Sequence, residues 1–127
     1  MEKIIIDNNH DDLPKVILDK EANIFEISGK SFPENAIEFY SPIIKWIKEY
    51  VENPNQETIF KIDLDYFSSS SSKKIFEILL ELELLTETKK NITVKWFFEE
   101  SNDVVFKRSK DIQEVVNVPI EFIEKTK

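Results

Sequence analysis

The feature that most constrains the fold is a hydrophobic period that switches repeatedly along the chain. Thr58-Ile59-Phe60-Lys61-Ile62-Asp63-Leu64 alternates apolar and polar residues, the period of a strand with one face buried. From Lys73 to Leu85 the residues Ile75, Leu79, Leu82 and Leu85, with Phe76 beside them, recur every three or four positions. That is the period of a helix buried on a wide face. Asn91 to Phe98 returns to the strand period and is long enough to be a central strand. Strand–helix–strand units of this kind place a crossover helix on a sheet, with right-handed connections.

The rest of the chain follows the same alternation. Lys15 to Asp19 and Asn23 to Ser28 read as two strands around the polar turn Lys20-Glu21-Ala22, after which Gly29 to Pro33 breaks the pattern. Between Glu34 and about Val51, Ile37, Tyr40, Ile44, Ile47 and Val51 mark one helical face. Pro42 lies inside this stretch and predicts a kink there, or a short first turn with the main helix restarting at the proline. Asp103 to Asn117 is weakly helical, and Val118 to Ile123 closes the chain as a short strand that Pro119 favours at a sheet edge. Ile4-Ile5-Ile6 reads either as an edge strand or as a terminal tail. The expectation is therefore α/β: a mixed sheet of about five strands with about three helices packed on it, in one domain spanning residues 1–127.

Composition excludes several chemistries. The chain has one Gly, no Cys and one His. Gly29 alone cannot build a P-loop or a dinucleotide fingerprint, which need several side-chain-free positions near phosphates. Without Cys there are no disulfides, thiolate nucleophiles or cysteine zinc sites. His10 with Asp7, Asp11 and Asp12 invokes a metal on paper, but no helical or strand period aligns them, and the reading is a solvated loop. A net charge of −8 opposes nucleic-acid binding, and Arg108 is the sole Arg among 17 basic residues. No apolar run approaches the roughly 20 residues of a membrane span, and Met1-Glu2-Lys3-Ile4, without a basic region before a long apolar stretch, gives no expectation of a signal peptide. The expected setting is the cytoplasm, with no cofactor and no membrane partner.

Five serines, Ser68 to Ser72, lie between the strand at 58–64 and the helix at 73–85. One of them is expected to cap that helix. The others then stand at the positive end of its dipole, where backbone N–H groups and the dipole favour negative charge. A phosphate on a serine there adds about −1.5 to −2 charge to an acidic surface and alters partner binding without altering the fold. Plain capping by small polar residues accounts for one or two serines and does not demand five. A serine nucleophile finds no support, because no G-x-S-x-G elbow is present and His10 is remote in sequence. Asp63 and Asp65 share one face of a strand end. They read as a general acid/base pair or, more simply, as solvated carboxylates at a strand terminus.

Two stretches carry a family resemblance. Ser28-Gly29-Lys30-Ser31-Phe32-Pro33-Glu34-Asn35-Ala36, followed by a helix containing Trp46-Ile47, resembles the signature of the SiaC-type family of bacterial regulatory phosphoproteins. Tyr66-Phe67-Ser68-Ser69-Ser70-Ser71-Ser72-Lys73 resembles that family's second motif, Y-x-N-[ST]-S-S-x-K, with Ser68 where the family has Asn. The resemblance implies a STAS-like fold and a non-enzymatic partner switch. In that switch a serine/threonine kinase phosphorylates the residue at the helix start and a PP2C-type phosphatase removes the phosphate. The unphosphorylated form binds and activates a diguanylate cyclase, raising cyclic-di-GMP and promoting biofilm. Ser69 falls at the phosphoacceptor, with Ser68, Ser70 and Ser71 as alternatives. Phe32, Pro33, Glu34, Asn35, Tyr66, Ser68, Ser70 and Lys73 are the expected partner-binding residues. Pro33 and Glu34 also suit a helix start on structural grounds alone. Two other readings remain: a small enzyme using Asp63, Asp65 and the serines, and a plain interaction scaffold.

Overall fold

The computed structural model describes residues 1–7 and 10–125. Among the described residues six strands and three α-helices follow in the order β1 (Ile4–Ile6), β2 (Lys15–Asp19), β3 (Ile24–Ser31), α1 (Ala36–Tyr50), β4 (Glu57–Phe67), α2 (Ser69–Glu83), β5 (Asn91–Phe98), α3 (Asp103–Gln113) and β6 (Ile120–Glu124), with a 3-10 turn at Leu84–Glu87 after α2. They form one sheet whose spatial order equals the chain order. β1, β2 and β3 pair antiparallel, and β3 through β6 pair parallel. The division has a local cause. A tight turn joins β2 to β3, with Asn23 at φ 58, a left-handed conformation that asparagine tolerates. Each later pair of strands is separated by a helix, which returns the chain to the same end of the sheet.

The sixth strand is Ile4–Ile6, which pairs with β2 at one edge, while β6 forms the other edge. The indole Nε1 of Trp46 donates to the Glu2 carbonyl at 2.7 Å and ties the start of the chain to α1.

All three helices cover the same face of the sheet. Trp46 and Tyr50 of α1 meet Phe25 of β3 at 6.0 and 4.9 Å between ring centroids, and α2 packs beside α1. Phe106 of α3 stacks on Phe98 and meets Phe122, whose neighbour across the sheet is Trp96. Between these layers Phe25, Phe60, Ile62, Phe67, Trp96 and the helix residues Tyr40, Ile43, Ile47 and Leu79 are essentially solvent-free. Residues of the opposite phase, such as Glu26, Lys61, Lys95 and Glu121, face outward and line up across neighbouring strands.

Three details depart from the sequence expectation. First, α1 is unbroken from Ala36 to Tyr50. Pro42 is exposed, so the Glu38 carbonyl that its missing N–H leaves unpaired is on the solvent side. Second, the buried face of α1 is Ala36, Tyr40, Ile43, Trp46, Ile47 and Tyr50, and Ile37 is 68% exposed. Third, β3 does not break at Gly29 but runs to Ser31.

A bulge accompanies that continuation. Gly29 pairs with Leu64 and Lys30 with Tyr66, so Asp65 is skipped. Gly29 has φ 98, a conformation that a Cβ disfavours. The extra residue reverses the phase of β4. Leu64 and Phe67 are buried and Tyr66 is turned out. Burying Phe67 is worth roughly 2 kcal/mol, more than the roughly 1 kcal/mol of a lost ladder hydrogen bond. The skipped residue is also not left unsatisfied, because Asn102 Nδ2 donates to the Asp65 carbonyl at 2.9 Å.

Candidate functional site

The serine run begins immediately after β4, and most of it is helical. Ser68 is the N-cap of α2, with φ −72 and ψ 168, and its hydroxyl accepts from the Ser71 N–H at 3.1 Å. Its own N–H donates to the Ser31 carbonyl at 2.9 Å, and its carbonyl accepts from Ser72 N–H at 2.8 Å. The cap is thus fixed from both sides. Such caps stabilise a helix by about 1 kcal/mol.

The serines differ sharply in environment. Ser71 is fully buried, whereas Ser69 and Ser70 are exposed and Ser68 and Ser72 are half-buried. Ser71 Oγ accepts from Ser31 Oγ at 2.9 Å and from Ser68 Oγ at 3.1 Å. Ser31 Oγ, also fully buried, lies 2.5 Å from the Tyr40 hydroxyl. With the Ser31 proton committed to Ser71, Tyr40 is the donor to Ser31. Burial pushes the Tyr40 phenol up to about 12, the hydrogen bonds to Ser31 and Ser71 offsetting part of that rise. A polar thread therefore runs from the body of α1, through the end of β3, to the first turn of α2.

The aromatic and charged residues around this turn have separate places. Phe32 and Tyr66 are 40% and 45% exposed and meet edge to face at 5.7 Å. Pro33 is buried and Glu34 exposed. Asn35 is the N-cap of α1, its Oδ1 accepting from the Glu38 N–H at 3.0 Å. Ser70 lines an open groove of about 1050 Å³ with Pro33, Glu34, Asn35, Ile37 and Leu13. Lys73 is exposed one turn into α2. The fold thus brings the two sequence motifs to one end of the sheet, where the parallel strands terminate.

Asp63 and Asp65 lie at the same end but are engaged elsewhere. Lys125 Nζ reaches Asp63 at 2.8 Å, Asp65 at 3.6 Å and Glu99 at 3.5 Å. The hydrogen bond to Asp63 first, and then the surrounding carboxylates, raise the Lys125 pKa. Asp63 and Asp65 are thus paired with a cation, and an open groove of about 530 Å³ lies beside them, lined by Glu99 and Lys125. Among the described residues no group of three or more His, Cys, Asp or Glu side chains is placed to hold a metal ion.

Sequence reasoning missed Ser31, Tyr40 and Arg108 as parts of this end. Arg108 Nη1 donates to the Phe67 carbonyl, and its guanidinium stands 4.3 Å over the Phe67 ring. Its rarity was the one available signal, a single Arg in the chain. Ser31 lies in the first motif and Tyr40 on the α1 apolar face, but nothing local marks their hydroxyls as partners of α2, a contact that spans 40 residues between Ser31 and Ser71.

Comparison with known proteins bears on the fold and the family. An uncharacterised protein of Pseudomonas aeruginosa is 24% identical over 106 residues, 84% of each chain. The solved structure of SiaC of Pseudomonas aeruginosa superimposes with a TM-score of 0.86 at 21% identity, covering 98% of this chain and 100% of the other. A crystal structure of the diguanylate cyclase SiaD in complex with its activator SiaC, from the same organism, matches with a TM-score of 0.85, 21% identity and coverage of 98% and 100%. The sequence model of the SiaC family regulatory phosphoproteins matches residues 7–125. With nearly its whole length matched, the chain belongs to the SiaC family of regulatory phosphoproteins.

Proposed function

We propose that this protein is a non-enzymatic phospho-switch of the cytoplasm. Unphosphorylated, it binds and activates a diguanylate cyclase. A serine/threonine kinase phosphorylates Ser69 to prevent that binding, and a PP2C-type phosphatase restores it. The observation that carries this reading is the division of the serine run by exposure. Ser69 and Ser70 stand exposed in the first turn of α2, with Ser70 Oγ 3.2 Å from Ser68 Oγ, whereas Ser71 is sealed against Ser31 and the Ser68 hydroxyl is occupied in capping. A kinase needs an accessible hydroxyl, and the α2 N-terminus stabilises the phosphate once formed. The complex of Pseudomonas aeruginosa SiaC with the diguanylate cyclase SiaD supports the choice of target. Phe32 and Tyr66, exposed aromatics beside the serines, suit a partner contact.

The test is intact-mass analysis after incubation with the cognate kinase and ATP, followed by cyclase activation assays. Wild type should gain one phosphate and lose activation, and Ser69→Ala should gain none and activate constitutively. Phosphate uptake undiminished in Ser69→Ala, or activation by the phosphorylated chain equal to that of the unphosphorylated one, refutes the reading. The enzymatic alternative is disfavoured by the engagement of Asp63 and Asp65 with Lys125.

A further inference from the structure

Helical periodicity sends neighbouring serines to different grooves. On α2, Ser69 shares a face with Ser72, Lys73 and Phe76, three, four and seven residues on, whereas Ser70 shares a face with Lys74 and Glu77. Ser70 accordingly lines the groove against α1, while Ser72, Lys73 and Phe76 wall a second groove of about 320 Å³ against α3. The facing wall is Arg108, Ile112 and Val115, with Asp111 adding one carboxylate.

The two grooves differ in electrostatic character at the serine turn. The α1 groove carries Asp12, Glu34 and Glu38 where Ser70 lines it, and further along the two helices Lys45, Lys48 and Lys74 against Glu77. The α2–α3 groove sets Lys73 and Arg108 against Asp111, at the positive end of α2, on a chain of net charge −8. Its apolar walls are accessible, with Phe76 half-buried and Val115 63% exposed.

We propose that the α2–α3 groove is the docking surface that Ser69 controls, and that its occupant is an amphipathic helix of the target cyclase carrying aliphatic anchors flanked by Asp or Glu. This rests on the phospho-switch reading above. The helical face that Ser69 shares with Ser72, Lys73 and Phe76 selects the groove, and the charge there supplies the switch. Two cations and one carboxylate give +1, and a phosphate of about −1.5 to −2 one turn before Lys73 inverts that sign. Lys73 and Arg108 then serve the phosphate, and an acidic helix is repelled.

The experiment measures binding of the full chain to its full-length cognate diguanylate cyclase, in unphosphorylated form, for wild type, Lys73→Glu, Val115→Asp and Ile37→Asp. All three positions are exposed, and unchanged thermal midpoints verify folding. Lys73→Glu and Val115→Asp should each weaken binding by about tenfold or more. Ile37→Asp, on the α1 groove, should stay within about twofold of wild type, and wild-type affinity should fall as salt rises. Loss of binding in Ile37→Asp alone, or in none of the three, overturns the groove assignment and leaves the switch reading intact. Self-association that Val115→Asp abolishes while cyclase binding persists makes the occupant a second copy and equally overturns it. A wild-type chain that binds the cyclase in neither phosphorylation state refutes the functional reading itself.

Discussion

Replacing Tyr40 by Phe removes one hydroxyl from the thread that joins α1 to the serine turn, and its effect changes sign with pH. Tyr40 is fully buried and donates to Ser31 at 2.5 Å, while Ser31 donates onward to Ser71. The variant keeps the ring, its packing and the Ser31–Ser71 bond. At neutral pH the loss is one buried hydrogen bond, about 1 kcal/mol, or about 4 °C in thermal midpoint for a chain of this size. Alkali works the other way. The folded phenol holds its proton up to about 12, whereas an unfolded tyrosine releases it near 10.0. The native state therefore binds more protons between these values. The Tyr40 contribution is complete below pH 10 and is lost as pH rises toward 12, roughly 3 kcal/mol in all. Phe has no proton to retain. Wild type should thus be the more stable protein at pH 7, and the two stability curves should cross near pH 11. Urea unfolding of both proteins from pH 7 to pH 11.5 measures this, since every other titrating group cancels in the difference. A difference that stays constant across that range refutes the coupling of Tyr40 to the buried thread.

Two further substitutions probe the residues that shape this end of the sheet. Asn35→Ala removes the α1 N-cap at Glu38 N–H and should lower unfolding free energy by about 1 kcal/mol in chemical denaturation, with Asn35→Ser recovering most of it. Gly29→Ala forces a Cβ onto a residue at φ 98 and should cost about 1–2 kcal/mol, read as a lower thermal midpoint, although it adds apolar surface and removes no contact.

Much of this architecture is legible because the chain's periods are clean. The alternation at 58–64 and 91–98 and the helical spacing at 75–82 each bury the residues the pattern selects. The reading fails where two faces compete. Along α1, Ile37 and Ile44 match the helical period as well as Ile43 and Trp46 do, and only docking against Phe25 decides between the stripes. Pro42 reads as a breaker, yet an exposed position lets the helix continue through it.

The sequence by itself determined which residues can be strand, helix and cap, because propensity, period and capping chemistry act over a few neighbouring positions. It also placed five serines at a strand–helix junction and left them chemically equivalent. Tertiary structure alone made them different. The skipped Asp65 turns Tyr66 outward and Phe67 inward. Ser31 and Tyr40 reach in from other elements to seal Ser71. Arg108, 41 residues beyond Phe67, brings a cation to the turn. Burial and charge at a point are sums over everything packed around it, and residues distant in the chain contribute as much as adjacent ones. That is why Ser69 and Ser71, two residues apart in one run, end as an open hydroxyl and a sealed one.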